Sequence, residues 1–421
     1  MLEKGCRVCG STALVCFLDL GDQPHGHSLI ETANINVFEP TYPLRANFCC
    51  ECTTVQIDYT VPKKLMFEHY LYVSGTTYTL SKHFEKSTKR LISLYELSSR
   101  DLVVDIGSND GTWLKYFKDY GLNILGIDGA KNIAKIANER GVETWPDFFN
   151  ITVAEKILNQ KGHAKLITAA GVFFHLEELH SVTNGVEKLL ANDGVFCIQA
   201  IYLGEMIQNN KFDQIYHEHL TYWTLTSLEK LLEMHGLQIF YVRTLDIHGG
   251  SIEVHACKKG MREADASVAK MKMTEVNSGY LKFSTYEEFG KRVWAIKDLL
   301  IEMLQKFKKE NKTVYAMGAP IKGATLLNSF KIQSDLIQCA VEVNPLKIGK
   351  YIPGVRLPIL DETTVDPPSA YLLLAWNFLP ELISKYKKFI VDGGVFILPV
   401  PIPKIIDRSN MASYLQEIEK S

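Results

Sequence analysis

The spacing of apolar residues changes repeatedly along this chain, and these changes predict where its strands and helices lie. From residue 102 onward, short apolar runs such as LVVDIG alternate with stretches such as GTWLKYFKDYG, whose apolar residues recur every three or four positions. Short apolar runs are typical of buried strands, and the longer spacing is typical of amphipathic helices. Strands that alternate with helices predict a parallel, doubly wound α/β sheet.

The first α/β pattern ends with two strand-like runs, LQIFYVRTL (237–245) and SIEVHACK (251–258). Only DIHGG joins them, and so short a link predicts an antiparallel hairpin at the sheet edge. Thr226 and Glu229 match a capping box at the start of the preceding helix, and Gly236 is expected to end that helix. We therefore predict a seven-stranded sheet with an antiparallel edge hairpin.

A second α/β pattern begins near residue 311, where KTVYAMG predicts a strand and KGATLLNSF a helix. A charged helical stretch precedes it, and a cysteine-rich, turn-rich segment begins the chain. We predict five segments. They are a cysteine-rich module (1–60), a helical connector (61–97), a first α/β domain (98–260), a helical linker (261–310) and a second, Rossmann-like α/β domain (311–421).

Composition excludes several classes of protein. The 421 residues are 46% apolar and 22% charged, with a formal net charge of −2, so a general nucleic-acid binder with a basic surface is not expected. No apolar run approaches the roughly 18–20 residues that cross a bilayer, and no signal peptide is evident at the start. We expect a cytoplasmic protein that binds neither nucleic acid nor membrane and shows no obligate protein partner.

Cysteine spacing gives a strong chemical signal. Two C-x-x-C pairs lie near the start of the chain, and their members are Cys6, Cys9, Cys49 and Cys52. Two such pairs supply four thiolates to one tetrahedral zinc ion and leave no open position for chemistry. The alternative is a redox pair, but neither pair begins a helix within a βαβ unit. We expect one structural zinc ion.

A glycine-containing loop, VVDIGSNDG, follows the first strand of the first α/β pattern. Its glycines let the backbone approach a ligand, and the acidic residue that ends the next strand suits ribose hydroxyls. The G-x-G-x-x-G fingerprint is missing, which disfavours NAD; a loop that serves only as a turn is the other alternative. The candidate cofactor-binding residues are Asp105, Gly107, Ser108, Asn109, Gly111, Asp128, Gly129, Asp147, Phe148 and Ala169.

The segment FDQIYHEHLTYW (212–223) is the candidate chemical site. It lies between the fifth strand and the next helix, so the topology places it above the same crevice. Histidine has the unperturbed pKa best suited to proton transfer near neutral pH. An aromatic core patch with a solvated His-Glu-His is the alternative. The candidate residues are His219, Tyr216 and Glu218, together with His175 after the fourth strand.

Taken together, the motifs resemble those of the S-adenosylmethionine-dependent nucleotide-sugar C-methyltransferases. The stretches that carry the resemblance are CRVC, LDLGDQP, the second C-x-x-C, DIGSNDG, FDQIYHEH, HGGSIEVHA, AMGAPIKGATLLN and LLLAWNF. The resemblance implies an N-terminal zinc module, a central class I methyltransferase domain and a C-terminal Rossmann-like domain. It also implies methyl transfer to C3 of a dTDP- or GDP-linked 4-keto-6-deoxy sugar, for branched deoxysugar biosynthesis.

The resemblance also implies roles for single residues. His219 corresponds to the favoured base of the family, Tyr216 and Glu218 assist it, and Tyr216 or His175 would donate to the enolate oxygen. Gly318 and Lys322 are expected to bind pyrophosphate. The full set of expected substrate-binding residues is Tyr70, Tyr72, Tyr222, His248, Gly250, Lys322 and Asn377.

Two departures from the family pattern leave points open. Gln199-Ala200-Ile201 stands where relatives often carry an acidic residue and a proline, and HYLYVSG does not decide whether Tyr70 or Tyr72 faces the substrate. Proton loss from C5 instead of C3 is open as well. Two other functions remain: a methyltransferase for another small molecule or a macromolecule, with the zinc module as recognition element, and a non-catalytic binding module.

Overall fold

The computed structural model describes residues 1–67, 70, 73–76, 78–247 and 249–416. It divides into two compact units, each built from several stretches of chain. The first unit contains residues 1–15, 47–204 and 218–283, and the second contains residues 16–46, 205–217 and 284–421. The division into five sequential segments stays a prediction. No helix within the described ranges is both long and apolar enough to span a membrane.

The strands, in chain order, are β1 (Leu14–Pro24), β2 (Ile30–Glu31), β3 (Thr41–Cys49), β4 (Val55–Ile57), β5 (Leu102–Ile106), β6 (Asn123–Ile127), β7 (Thr144–Trp145), β8 (Ala164–Ala170), β9 (Leu190–Ile201), β10 (Thr221–Tyr222), β11 (Leu237–Leu245), β12 (Ser251–Lys258), β13 (Val314–Met317), β14 (Ala340–Glu342), β15 (Lys350–Tyr351), β16 (Ile359–Asp361), β17 (Ala370–Leu373), β18 (Val395–Leu398) and β19 (Lys404–Ile406).

The α-helices are α1 (Lys63–Phe67), α2 (Tyr78–Tyr95), α3 (Thr112–Asp119), α4 (Lys131–Glu139), α5 (Ile151–Lys161), α6 (Leu179–Leu189), α7 (Leu203–Gln208), α8 (Leu225–Glu233), α9 (Ala266–Asn277), α10 (Phe283–Lys309), α11 (Ile321–Phe330), α12 (Leu379–Lys385), α13 (Lys387–Val391) and α14 (Met411–Gln416). Short 3₁₀ helices lie at Thr32–Asn34, Ser74–Thr76, Phe212–Gln214 and Trp376–Phe378.

The main sheet of the first unit has seven strands in the order β7-β6-β5-β8-β9-β12-β11. Strands β5 to β9 run parallel, whereas β12 runs antiparallel to both β9 and β11. The predicted seven-stranded sheet with its edge hairpin is therefore confirmed. The strand order reverses between β5 and β8, so a ligand crevice is expected at the carboxyl ends of these two strands.

Apolar periodicity explains how the helices cover this sheet. All five residues of β5 are buried, as a strand covered on both faces requires. Helix α3 buries Trp113, Leu114 and Phe117 on one face, and Trp113 stacks on Phe84 of α2 with ring centroids 4.9 Å apart. The stacked rings fix α2 beside the loop that follows β5.

The predicted cap of α8 is wrong. The helix begins at Leu225, and its N-cap is Thr224, whose hydroxyl accepts a hydrogen bond from the Ser227 backbone N–H. The side chain of Ser227 reciprocates toward the Thr224 backbone N–H. Two threonines stand two residues apart in YWTLTSLEK, so the spacing favoured Thr226 and Glu229, but the helix begins two residues earlier than that cap predicts.

The second unit contains a six-stranded sheet in the order β16-β14-β13-β17-β18-β19. All neighbours are parallel except β18 and β19. Numbered from β13, the order is 3-2-1-4-5-6, the arrangement of dinucleotide-binding sheets. The predicted second Rossmann-like domain is therefore confirmed.

A buried ion network crosses the hairpin side of the first unit. Glu253 of β12 is fully buried and accepts a hydrogen bond from Arg90 of α2. Arg243 donates to the same carboxylate through Nε at 2.9 Å and through Nη2 at 3.2 Å. His255 donates to Glu253 and accepts from Tyr95. Burial opposes ionisation of Glu253, but the hydrogen bonds from His255 and Arg243 hold its pKa below the usual range.

Glu253→Gln should destabilise the first unit by about 3–5 kcal/mol, because it leaves two arginines without their buried counter-charge. The free energy of unfolding in urea measures the effect. Glu187→Gln is the control, since Glu187 forms a partly exposed pair with Lys258, and such pairs contribute about 0–1 kcal/mol. Equal effects of the two substitutions would contradict the assignment of a stabilising role to the buried network.

Candidate active site and zinc site

The four predicted metal ligands converge in the first unit. The Sγ atoms of Cys6 and Cys52 are 3.4 Å apart, those of Cys9 and Cys49 are 3.6 Å apart, and all four lie within 4.8 Å of one another. A tetrahedral zinc ion with Zn–S bonds of about 2.3 Å separates its sulfurs by about 3.8 Å. The donor set therefore fits one zinc ion.

Tight turns position each pair of thiols. The Gly10 N–H donates to the Cys6 carbonyl at 2.9 Å, and the Thr53 N–H donates to the Cys49 carbonyl at 2.9 Å. The Val8 N–H also points at the Cys6 Sγ, 3.4 Å away. Backbone N–H groups directed at a thiolate stabilise its negative charge, so the turns prepare the sulfurs for a cation.

The glycine-containing loop turns directly under the end of β6. Gly107 has a φ of +70°, and a Cβ there would lie 2.8 Å from the Cβ of Val172, so only glycine fits. The Asn109 N–H donates to Asp128 Oδ2 and the Ala130 N–H to Asp128 Oδ1, both at 2.8 Å. The carboxylate that follows β6 thus lies against the loop, and its predicted contact with the ribose of the cofactor stays a prediction.

Other residues expected at the cofactor play supporting parts in this geometry. Asp105 and Ala169 are buried within β5 and β8, and burial raises the pKa of Asp105 to about 7, although the Thr168 hydroxyl donates to it at 2.6 Å. Ser108 Oγ is buried against Gly126 and has no hydrogen-bond partner among the described residues. Gly111, with a φ of +75°, is the N-cap residue just before α3.

An aromatic ring borders the other end of the crevice. The Phe148 ring covers Gly129 so closely that a Cβ there would lie 2.2 Å from Phe148 Cε1. Lys63 Nζ lies 4.8 Å from the centroid of that ring. Asp147 is exposed and accepts the Phe148 N–H at 2.9 Å. An apolar ring beside an exposed carboxylate matches the flat face and amino edge of an adenine.

Three predicted catalytic residues meet at the carboxyl edge of the same sheet. The Leu220 N–H donates to the Phe174 carbonyl at 2.8 Å, which ties the loop after β8 to the Glu218–His219 turn. The ring centroids of His175 and His219 are 5.0 Å apart, and Phe174 lies 4.5 Å from His219. The two imidazole rings therefore lie next to each other, beside the buried residue Glu218.

The hydrogen bond of His175 fixes its tautomer. Nδ1 of His175 donates to the Glu218 carbonyl at 2.6 Å, and because a carbonyl only accepts, Nδ1 carries the hydrogen. In the neutral ring, Nε2 therefore carries no hydrogen. The Glu218 side chain is 1% exposed and accepts from the Tyr70 hydroxyl at 3.4 Å.

The remaining predicted residues of this site have different placements. Tyr222 pairs with Val55 across β10 and β4 and lies 6.2 Å from the His219 ring. Gly250, with a φ of +110°, accepts the Tyr202 N–H at the end of β9. Tyr216 is half-buried and belongs to the second unit. The predictions for Tyr72 and His248 lie outside the described residues.

One residue at this site was missed by the sequence analysis. The ring of Phe67 lies 5.4 Å from Tyr70, 6.1 Å from His175 and 6.4 Å from Phe148. It therefore lies between the ring of Phe148 and the ring of His175. Phe67 ends the short helix α1, and its apolar character within KKLMF gave no signal beyond an ordinary helix face.

The second unit gathers the other predicted substrate ligands. Lys322 Nζ donates to Asn377 Oδ1 at 2.5 Å and lies 3.7 Å from the Trp376 ring centroid. The Trp376 Nε1–H donates to Asp213 Oδ2 at 2.5 Å, and Asp213 is fully buried. Burial lowers the pKa of Lys322 to about 8, although Asp213 opposes the shift. These residues form a charged cluster at the first turn of α11.

Fold and site define the class of protein. A seven-stranded sheet in this order, with a glycine loop under a strand-end carboxylate, is a class I S-adenosylmethionine-dependent methyltransferase domain, here accompanied by a four-cysteine zinc site. Three family profiles match in succession: a zinc binding domain, a methyltransferase domain and a C-methyltransferase C-terminal domain, over residues 6–67, 80–242 and 246–401.

The chain is 37% identical over 404 residues to the C-methyltransferase NovU of Streptomyces niveus, which covers 95% of this chain and 96% of that protein. It therefore belongs to the C-methyltransferase family, whose members transfer a methyl group from S-adenosylmethionine and carry an N-terminal zinc-binding domain.

Two further similarities are more restricted. Phosphoethanolamine N-methyltransferase of Plasmodium falciparum (isolate 3D7) is 39% identical over 72 residues, 17% of this chain and 27% of that protein. The crystal structure of an S-adenosylmethionine-dependent methyltransferase from Clostridium acetobutylicum ATCC 824 superposes with a TM-score of 0.34 at 13% identity, covering 43% of this chain and 92% of that one. The relative matched over nearly its whole length is thus the one that defines the family.

Cys49→Ser should unfold the zinc module and release the metal, because thiolate ligation is coupled to folding. Metal analysis is expected to give one zinc ion per chain in the wild type and none in the variant. Cys50→Ser is the matched control, since Cys50 is the exposed neighbour of Cys49 and should leave zinc content unchanged. Zinc retained by the Cys49 variant would contradict the four-thiolate site.

Asp128→Asn should weaken S-adenosylmethionine binding by about tenfold or more, because charge-assisted hydrogen bonds contribute about 1.5–3 kcal/mol. Isothermal titration with S-adenosylmethionine measures the change. Asp119→Asn, an exposed carboxylate of α3 paired with Lys115, is the control and should bind normally. Unchanged affinity in the Asp128 variant would move the cofactor away from the end of β6.

Proposed function

We propose that this enzyme methylates C3 of a 4-keto-6-deoxy nucleotide sugar through an enolate formed by a histidine base. The observation that carries the proposal is the pairing of His175 and His219, 5.0 Å apart, beside the buried Glu218 at the carboxyl edge of the methyltransferase sheet. Methylation of oxygen or nitrogen needs no carbon acid, whereas methylation of carbon does, and the full-length relative is a C-methyltransferase.

The chemistry requires a base and a donor. A carbon beside a ketone becomes a nucleophile only after it loses a proton, and the developing enolate oxygen needs a hydrogen-bond donor. S-adenosylmethionine supplies the methyl group as an activated sulfonium, so positioning and exclusion of water are the tasks left to the protein. The enolate carbon forms the new bond as the methyl–sulfur bond breaks.

Geometry divides these tasks between the two histidines. His219 is held edge-on by Phe174 and is 2% exposed, so its ring is well fixed to take the C3 proton. His175 donates through Nδ1 to a carbonyl, so its Nε2 serves the enolate oxygen as a donor only when the ring is protonated. We assign proton abstraction to His219 and oxyanion stabilisation to protonated His175 or to Tyr216.

The substrate's nucleotide is assigned to the second unit. Lys322 and Asn377, together with the N–H groups near Gly318, form a cationic and polar group at the first turn of α11, which suits a diphosphate. A dTDP- or GDP-linked sugar is the substrate class that supplies both a diphosphate and an acidic C–H. We also assign Tyr70 and Tyr222 to the sugar, and we place the reaction in the cytoplasm.

Mass spectrometry tests the substrate class. A panel of dTDP- and GDP-linked 4-keto-6-deoxy sugars is incubated with the zinc-containing enzyme and S-adenosylmethionine, and the product should gain one methylene. The corresponding 4-hydroxy sugars are the control, because without the ketone C3 is not acidic. Methylation of the 4-hydroxy sugars at the same rate would contradict an enolate mechanism and favour O-methylation.

His219→Asn should lower turnover by about 10²–10⁴-fold while S-adenosylmethionine binding persists, since general-base catalysis contributes that much. In heavy water the wild type should exchange the C3 hydrogen of the substrate for deuterium with a non-transferable cofactor analogue bound, and the variant should not. His180→Asn, an exposed histidine of the same unit, is the control. Exchange at the wild-type rate in the His219 variant would make Tyr216 or His175 the base.

A further inference from the structure

The second unit repeats the geometry that binds the cofactor in the first. In both sheets the first strand is followed by a positive-φ glycine loop and a helix, and the second strand ends in a carboxylate: Gly107 precedes Asp128, and Gly318 precedes Glu342. The strand order of the second sheet is the one that binds nucleotides where the order reverses, which is between β13 and β17.

Hydrogen bonds around the two carboxylates also correspond. Glu342 Oε2 accepts the N–H of Ala319, in the loop after the first strand, at 3.2 Å, as Asp128 accepts that of Asn109. Glu342 Oε1 accepts the N–H of Asn344, two residues on, at 3.2 Å, as Asp128 accepts that of Ala130. Glu342 Oε1 also accepts the Val343 N–H at 2.9 Å, so Oε2, which accepts the Ala319 N–H, is the oxygen that keeps a lone pair for a ligand.

We propose that Glu342 binds the 3′-hydroxyl of the substrate's nucleoside, so that the second unit holds the nucleotide as the first holds the adenosine of the cofactor. The inference rests on the proposed function, in which the substrate is a nucleoside diphosphate sugar. A 3′-hydroxyl is common to dTDP and GDP sugars, so this contact serves either nucleotide.

Neighbouring charges support a nucleotide in this orientation. Lys322 lies in the first turn of the helix after the loop, where a diphosphate attached to that nucleoside is expected. Asp213 Oδ1, fully buried beneath Trp376, has no hydrogen-bond partner in the part of the chain that the structure describes, so this carboxylate serves mainly as a counter-charge to Lys322.

Lys347 holds the acidic end in place. Its Nζ donates to the Ala319 carbonyl at 3.0 Å and lies 3.7 Å from Glu342 Oε2. The lysine therefore braces the same loop residue whose N–H binds the carboxylate. The side chain of Glu342 remains 12% exposed, enough for a hydroxyl to reach it.

A thermodynamic cycle between protein and ligand tests the contact. Isothermal titration compares dTDP with 3′-deoxythymidine diphosphate, and GDP with 3′-deoxy-GDP, on the full-length zinc-containing enzyme. The wild type should bind each 3′-hydroxyl nucleotide about tenfold more tightly than its 3′-deoxy counterpart. Glu342→Gln should lose most of that preference. If the carboxylate of Glu342 binds the 3′-hydroxyl, then once the carboxylate is gone, removing the hydroxyl costs little further affinity.

Controls separate binding from folding. Glu381→Gln, an exposed glutamate of α12, should keep the wild-type preference, and Glu342→Gln should bind S-adenosylmethionine normally. If Glu342→Gln does not fold, Glu342→Asp keeps the charge with a shorter reach and should show the same loss of preference.

The outcomes are distinct. A variant that keeps the full 3′-hydroxyl preference overturns the role of Glu342 while leaving the proposed function intact. A wild type that binds neither dTDP nor GDP overturns the nucleotide-sugar function itself and, with it, the role of Glu342.

Discussion

The contact between a strand-end carboxylate and the backbone of the preceding loop is the interaction on which both α/β units depend. Parallel strands bring their carboxyl ends to one edge, and the loop after the first strand must turn back there without side-chain clashes. Gly107 permits that turn, and Asp128 holds the loop through two N–H groups. A preformed loop of this kind binds a nucleoside without first being ordered, which lowers the entropic cost of binding.

Local signals in the sequence sufficed for much of this structure. Each C-x-x-C pair, the strand before Asp128 and the edge hairpin could be recognised from a short stretch of sequence, because each has a characteristic local spacing of residues. Phe67 could not be predicted in the same way, since His175 and Phe148 lie 108 and 81 positions further along the chain and meet it only through tertiary packing. The true cap of α8 was also missed, because Thr224 and Thr226 are locally equivalent.

Each compact unit is built from several separate stretches of the chain, and this feature could not be predicted from the sequence patterns. Residues 16–46 follow the first cysteine pair, yet they belong to the unit of the second sheet. Within it, Gln23 of the LDLGDQP motif donates to Ser329 of α11 at 2.7 Å, and Gly26 packs so closely on Ile321 that a Cβ there would lie 2.5 Å from its Cγ2. Composition changes at neither junction, so no boundary is visible in the sequence.

The FDQIYHEH motif shows what such interleaving means for function. Its Asp213 belongs to the second unit, where it faces Trp376 and Lys322, whereas its His219 belongs to the first, beside His175. One short stretch therefore carries a counter-charge for Lys322, which we propose binds the nucleotide, and the residue that we propose as the base. Substitutions at its two ends are expected to separate kinetically: changes at Asp213 should act on nucleotide affinity, and changes at His219 on proton abstraction. A motif that matches a family over eight residues can thus combine two independent physical constraints, and each residue must be assigned from its own contacts.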